Sequence, residues 1–536
     1  MLFLDKFNLN KDIHSMTQNI NHLEGDTPIK PHKDSGFMGH PKPLQPLFFT
    51  EMWERFSYYS IRPLLVLFMV ATIQSGGFGF DDVTASAIYG IFAGAMYLMA
   101  VPGGWLADNW LGQERALWWG SLIIALGHLC IALSAMVGAS VFFLGLMFIV
   151  IGSGLFKTCI SVMVGALYPD GDGRRDAGFT LFYMGINIGA LFASLIVGIF
   201  KEQDMWHVGF GVGGFGMLVA LLLYRFYARA SLKKYAQENN ITPVWEYPSG
   251  QVANVGRWVF AVVAVLAVVV GLIMMGIMPF NPQVVAEYMT YLIAGTIVLY
   301  FLYRFISPSL NKNEKVRLLI CFLLIIGSTL FWSSFEQQPT SFNLFADRYT
   351  DLNVMGFNIP SLWFQSLNPF FILLLAPIVS VIWVKLANKG LEPSSMTKFA
   401  LGMLLAAAGF GLMIVAANHV VNQPGTLVSP MWLVGSLLLL TLGELALSPV
   451  GLSSMTKLAP ERMQGQIMGL FFASIAVGNL VAAFFGGYVT ADTINDLPNL
   501  FATMAIFLVV SAVMLLILSR PIEKMLKNSE TLKQAE

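Results

Sequence analysis

Charge is scarce in this chain of 536 residues: only 12% is Asp, Glu, Lys or Arg, against about 25% in ordinary soluble domains. Such a chain lacks the polar surface needed to face water on all sides, which excludes a soluble enzyme, a disordered scaffold and a coiled coil. The 31 basic residues balance the 31 acidic ones and form no basic block. The electrostatic footprint that holds nucleic acid is therefore missing. Cysteine is rarer still: Cys130, Cys159 and Cys321 all fall inside apolar runs, giving neither a disulfide framework nor metal-ligand spacing. The seven histidines show no ligand spacing either, and His128, the one well inside an apolar run, reads as a satisfied polar contact. No Ser-His-Asp or Cys-His arrangement and no Walker A loop supports hydrolysis or ATP drive. Gly211-Val212-Gly213-Gly214-Phe215-Gly216 fits G-x-G-x-x-G, but no strand precedes it, so its glycines read as helix packing.

What the chain does have is apolar length. Hydrophobic residues make up 56%, and the 49 glycines bring the apolar share to about 65%. A bilayer core about 30 Å thick needs ~20 apolar residues of helix. Fourteen such runs are bounded by charge, proline or glycine. They lie near 47–72, 84–106, 114–136, 140–168, 177–199, 206–228, 256–278, 285–307, 315–338, 361–386, 396–417, 430–458, 463–490 and 499–519. An all-α membrane protein follows. Residues 1–45 are polar, carry Pro31, Pro41 and Pro43 and lack an apolar h-region, so they read as a disordered tail and not as a signal peptide.

With alternating loops and a cytoplasmic start, 26 of the 31 basic residues fall on the cytoplasmic side. Only Lys201 and Arg348 fall outside, and Arg55, Arg62 and Lys157 lie within spans. That bias predicts cytoplasmic termini, and the expected location is the cell (inner) membrane. An internal echo, Leu106-Ala107-Asp108 with Gly112 and Leu386-Ala387-Asn388 with Gly390, follows the second span of each half once spans seven and eight are set aside. The expected division is a tail (1–45), a six-helix bundle (46–230), a linker with two extra spans (231–310), a second six-helix bundle (311–520) and a cytoplasmic tail (521–536). The two extra spans hold no buried charge and read as peripheral scaffold.

Span one carries Glu51, Glu54, Arg55, Tyr58, Tyr59 and Arg62, and all but Tyr59 fall within an arc of about 100°. Charges cost about 2.5–3.5 kcal/mol each at mid-membrane, so this face must look into the bundle and find partners. Partners exist in Lys157 of span four, Glu336 of span nine and Glu444 of span twelve. Depth pairs Arg62, roughly 22 Å up span one, with Glu336, roughly 31 Å up span nine, and sets Lys157 within reach of Glu51, Glu54 and Arg55. The buried set holds three cations and four carboxylates, so one proton balances it. A carboxylate that gains or loses its cation during a conformational change is a proton switch. The bland alternative is a static ion-pair cluster joining helices, or, for Glu336 or Glu444 alone, a residue lining water. Tyr97, Asn187, Trp332 and Asn368 accompany the charges. An asparagine offers a donor and an acceptor that match a backbone amide, although helix–helix hydrogen bonding explains each singly as well.

Glu51-Met52-Trp53-Glu54-Arg55-Phe56-Ser57-Tyr58-Tyr59 reads as E-x-x-E-R-F-x-Y-Y, and it resembles the proton-dependent oligopeptide transporter family of the major facilitator superfamily. Phe182-Tyr183-Met184-Gly185-Ile186-Asn187-Ile188-Gly189, Phe331-Trp332-Ser333-Ser334-Phe335-Glu336-Gln337 and Gly443-Glu444-Leu445 with Ser448-Pro449-Val450-Gly451 are similar to further motifs of that family. Gly103-Gly104-Trp105-Leu106-Ala107-Asp108 with Arg115 is similar to the superfamily's loop motif. The likeness runs from about residue 45 to 520, and fourteen spans resemble the family's bacterial branch.

The resemblance implies two six-helix bundles with two extra helices, and proton-driven import of di- and tripeptides by alternating access, with no cofactor beyond the proton gradient. It implies that Glu51, Glu54 and Arg55 couple protons with Lys157 as switching partner, and that Arg62 and Glu336 form an extracellular gate. It implies that Glu444 holds the peptide amino terminus, Arg62 and Lys157 its carboxylate, and Asn187 and Asn368 its backbone. Tyr58, Tyr97 and Trp332 would then line side-chain pockets. A single chain is expected to suffice. The alternative is a proton-coupled carrier of another small solute, such as nitrate, a drug or an amino-acid conjugate, on the same fold. This chain has Lys157-Thr158-Cys159 where relatives often read Lys-Pro-Asn, Ser60 where glycine is usual and Phe471 where many carry tryptophan. Eukaryotic relatives use a histidine in span two; residues 84–106 contain none, which leaves the proton to carboxylates.

Overall fold

A computed structural model describes residues 36–169, 172, 174–239, 243, 245–248, 252, 254–308, 310–391, 393–460, 463–486 and 494–535. The expectation of a disordered tail falls mainly on residues outside this set. Long helices dominate: α1 (Leu44–Val70), α2 (Asp82–Leu106), α3 (Gln113–Val137), α4 (Ala139–Gly165), α5 (Arg175–Lys201) and α6 (Trp206–Leu223) come first. A shorter α7 (Arg229–Asn239) leads to α8 (Val255–Met274) and α9 (Pro282–Ile306). Then follow α10 (Lys312–Phe335), α11 (Asn343–Tyr349), α12 (Leu367–Asn388), α13 (Ser395–Asn422), α14 (Met431–Leu458), α15 (Gln464–Gly486) and α16 (Leu497–Ala535). Among the described residues, thirteen helical segments are long and apolar enough to cross a membrane. Helix α1 falls outside that group because it carries Glu51, Glu54, Arg55 and Arg62, yet it lies at the centre of the first bundle and completes the fourteen.

Two groups of six helices form, α1–α6 and α10 with α12–α16. Each group uses the same close-packing device. Across α3 and α4, a Cβ on Gly120 or Gly152 would lie 2.7 or 2.6 Å from the other's carbonyl oxygen, and the same holds for Gly127 and Gly145. Across α13 and α14, Gly402 and Gly443 repeat the reciprocal contact at 2.7 and 2.6 Å. In lipid, where apolar burial drives nothing between helices, such backbone approach supplies the dispersion that holds them. The sequence echo also has a shared geometry, since Gly112 (φ +77°) and Gly390 (φ +68°) both turn the chain in the left-handed region.

Several expectations need correction. The ninth span does not end at 338: α10 stops at Phe335, Glu336 caps it, a π stretch over Gln338–Phe342 follows, and α11 continues to Tyr349. Over the expected cytoplasmic tail, α16 continues as helix to Ala535, where Glu, Lys, Met, Leu and Gln are good helix formers. Of the two extra spans, α8 buries only Val255, its first residue, among the described ones. Helix α9 is seated more firmly: Ala286, Thr290, Ile297 and Phe301 are buried, and it packs on α2 and α15 where the bundles meet.

Candidate functional site

On α1, 100° per residue brings Glu51, Glu54, Arg55, Tyr58 and Arg62 to one face, as the spacing predicts. Glu51, Glu54 and Arg55 are buried. Arg55 Nε donates to Glu51 Oε1 at 2.7 Å and lies 3.0 Å from Glu54 Oε2. One cation therefore serves two carboxylates, and buried Glu51 Oε2 has no hydrogen-bond donor. Glu51, Glu54 and Arg55 thus pair within one helix.

Lys157 faces α2. Among the described residues no carboxylate lies within ion-pair distance of it; its Nζ stands 4.2 Å from the centre of the Tyr97 ring on α2. Helix α4 runs unbroken through Thr158 and buried Cys159, since neither interrupts the backbone ladder as proline would. Phe471 is buried against Gly451, and Ser60 donates to the Phe56 carbonyl at 2.7 Å.

Arg62 meets Glu336 in a buried pair that crosses from α1 to α10, and Arg62 Nε also donates to Tyr89 OH at 2.9 Å. Glu444 on α14 accepts from Asn368 Nδ2 at 2.9 Å, and the same amide donates to Thr441 Oγ1 at 3.1 Å. Asn368 thus holds Glu444 in place and keeps its oxygen available. Asn187 is buried on α5 and donates to the Tyr183 carbonyl of its own helix at 3.0 Å. Trp332 packs over Gly478, and its buried indole N–H has no acceptor. Tyr58 stacks near Phe92, ring centres 6.5 Å apart.

Sequence reasoning missed other members. The two basic residues assigned to the outside both reach across the bundles. Lys201 at the end of α5 pairs with Asp347 on α11 and donates to Ser361 Oγ at 3.3 Å. Arg348 grips Asp82 at the start of α2 with two bonds of 2.6 and 2.9 Å. Trp363 Nε1 adds a bond to the Leu195 carbonyl at 2.9 Å, and Asn343 Nδ2 one to the Pro63 carbonyl at 2.8 Å. Gly90 on α2 lies so close to α15 that a Cβ would stand 2.4 Å from that of Ala483. The bundles are thus closed at this end. The sequence signal was present, for a lone cation in a loop poor in basic residues has a reason to be there. Buried His128 shares a 2.6 Å hydrogen bond with Ser57, behind the charged face. The glycines at 213 and 216 face Ser57 and Phe56, as helix packing requires. The described residues hold no cluster of His, Cys, Asp or Glu that could bind a metal.

A membrane-spanning, two-bundle fold with paired charges between the halves defines a multi-pass membrane transporter of the major facilitator superfamily. Residues 114–503 match the family described as PTR2, POT family, and the chain belongs to it. It is 56% identical to the peptide transporter YePEPT of Yersinia enterocolitica subsp. palearctica serotype O:3 (strain YE-P4), covering 92% of this chain and 97% of that one. It is 34% identical to a di-/tripeptide transporter of Lactococcus lactis subsp. cremoris, over 91% and 97% of the two chains. Its fold superposes on a crystal structure of a peptide transporter POT in complex with sulfate at a TM-score of 0.81, with 36% identity over 91% and 96%. A POT family transporter in complex with a thioalcohol conjugated peptide gives a TM-score of 0.81, with 32% identity over 91% and 98%.

Proposed function

We propose that this protein is a proton-coupled symporter importing di- and tripeptides by alternating access. The observation that carries the reading is the α1 cluster, in which two buried carboxylates share the single cation Arg55 and Glu51 Oε2 is left without a donor. Buried carboxylate oxygens are costly unless protonated or paired. A proton on Glu51 or Glu54 removes that cost, and so does Lys157 swinging from Tyr97 toward them. The two solutions alternate, which couples proton entry to the position of Lys157. Peptide recognition uses opposite charges at its two ends. Glu444, held by Asn368, takes the amino terminus; Arg62 and Lys157 face the carboxylate; Asn187 and the Asn368 oxygen meet the backbone. Tyr58, Tyr97 and Trp332 line side-chain space. Reading termini and backbone leaves sequence preference loose.

Arg62–Glu336, Lys201–Asp347 and Arg348–Asp82 would form the extracellular closure, leaving the cavity open toward the cytoplasm. Both termini are then cytoplasmic, the location is the inner membrane, a monomer suffices, and the proton gradient serves in place of a cofactor. The test is uptake of labelled di-alanine into liposomes holding the purified protein, with an inward proton gradient imposed and then collapsed by an ionophore. Accumulation that disappears with the gradient supports the proposal. No accumulation by folded, inserted protein would overturn it and favour a carrier of another solute.

A further inference from the structure

The start of α3, the π stretch Tyr224–Ala228 that follows α6, the first turns of α7 and residues 245–247 enclose a cleft of about 590 Å3 on the face of the molecule opposite the cross-bundle ion pairs. Its walls carry Arg115, Arg225, Arg229 and Lys233 against Glu114 and Glu246, an excess of two positive charges. Glu114 is bonded to Arg229, and among the described residues no carboxylate lies within ion-pair distance of Arg115, Arg225 or Lys233. The floor is fixed. Trp245 is buried and its carbonyl accepts from Glu114 N at 2.9 Å, while Tyr224 OH donates to the Glu114 carbonyl at 3.2 Å. Gly112 allows the close passage of residue 246, whose carbonyl oxygen would lie 2.7 Å from a Cβ there. Cations that line one cleft without carboxylate partners make it a place where an anion is favoured.

The surroundings indicate which anion. At the rim, Phe226 is 63% and Tyr247 66% exposed. One turn beyond Arg115 on α3 stands exposed Trp119, followed by Leu126; one turn before Arg225 on α6 stands exposed Leu222, preceded by Leu218. Helices α3 and α6 pack together, and both carry exposed apolar side chains leading away from the cleft along the membrane-spanning surface. A soluble anion has no use for such a surface, whereas a two-part ligand with a phosphodiester and acyl chains fits both parts. We propose that this cleft binds the headgroup of an anionic phospholipid, with Arg115, Arg225 and Lys233 on its phosphate and its chains along the exposed apolar side chains of α3 and α6. The lipid would tie the segment after α7 to the first bundle.

The full-length protein is purified into phosphatidylcholine nanodiscs containing a minor fraction of phosphatidylglycerol, and retained lipids are counted by native mass spectrometry. Phosphatidylglycerol should be retained above its share of the bilayer. The combined variant Arg115→Gln, Arg225→Gln, Lys233→Gln should hold it at least about tenfold more weakly. The Lys385→Gln, Lys389→Gln variant, which removes two exposed cations elsewhere, should retain it unchanged. Should the triple variant fail to fold, Arg225→Gln alone is compared with Arg225→Lys, and only the glutamine should reduce retention. Equal retention of both lipids, or no effect of the cleft variants, would overturn the proposal. So would displacement of the lipid by inorganic phosphate at comparable concentration, which would make the cleft a soluble-anion site.

Discussion

Glu51 and Lys157 lie on different helices and make no direct ion pair here, so the coupling proposed for them predicts separable effects. Glu51→Gln removes a proton carrier while keeping shape and hydrogen-bonding capacity; Lys157→Ala removes the competing cation. Each should abolish gradient-driven di-alanine uptake, a loss of at least about 10-fold. Each should leave counterflow of peptide between two pools intact, because exchange needs no net proton movement. Gradient-driven accumulation surviving in both variants would remove the pair from the switch. The sequence placed both residues and set Lys157 within reach of the carboxylates, without fixing what its ammonium meets. Only the packed structure shows it over Tyr97, since the torsions of a long flexible side chain follow from its neighbours and not from its position along a helix.

Helix contacts set two further outcomes. Gly189 on α5 touches α1 so closely that a Cβ would lie 2.2 Å from the Met52 carbonyl oxygen. Gly189→Ala therefore forces the helices apart and should cost about 1–3 kcal/mol, read as a lower unfolding midpoint in detergent. Gly211 on α6 has nothing within 4 Å of the corresponding point, so Gly211→Ala should be neutral or gain up to about 1 kcal/mol. Ahead of α1, His40 Nδ1 and Tyr168 OH share a 2.9 Å hydrogen bond, and Arg174 Nη1 donates to the Gly39 carbonyl. Burial, with help from the Arg174 charge, lowers the His40 pKa below 6.5, so folding favours its neutral form. Burial pushes the Tyr168 phenol up to about 12 and keeps it protonated. The contribution of this contact is then present above the unfolded value and lost as pH falls through the lowered one. Amide exchange over residues 37–47 should quicken as pH drops from about 7 to 5 after correction for intrinsic rates, and His40→Gln should flatten that dependence. A protection profile independent of pH in the unmodified chain would contradict this.

Across the whole molecule, Arg62–Glu336, Lys201–Asp347 and Arg348–Asp82 tie the two bundles at one end. Removing the two more exposed ties with Asp82→Asn and Asp347→Asn should shift the population toward the form open at that end. Spin-label distances across α2 and α11 should then broaden toward larger values in the variant. Identical distance distributions would mean that these pairs do not bias the equilibrium. Helix α9 lies along the α2–α15 contact, so the extra pair of spans is part of the seam on one side and exposed on the other.

Much of this architecture was legible in the chain. Low charge and runs of about twenty apolar residues dictate membrane helices, because an unpaired backbone has no partner in lipid. The positions of Glu51, Glu54, Arg55 and Arg62 on one face follow from helical periodicity alone, and the pairing of Arg62 with Glu336 follows from depth. What only tertiary structure decided is which partners meet across helices. Asn368 donates to Glu444, Tyr89 joins Arg62, Ser57 meets His128, and the outer cations cross between bundles. Those choices depend on how helices distant in sequence are rotated and spaced, and glycine contacts between backbones set that spacing. One-dimensional periodicity specifies a face; it does not specify what the face meets.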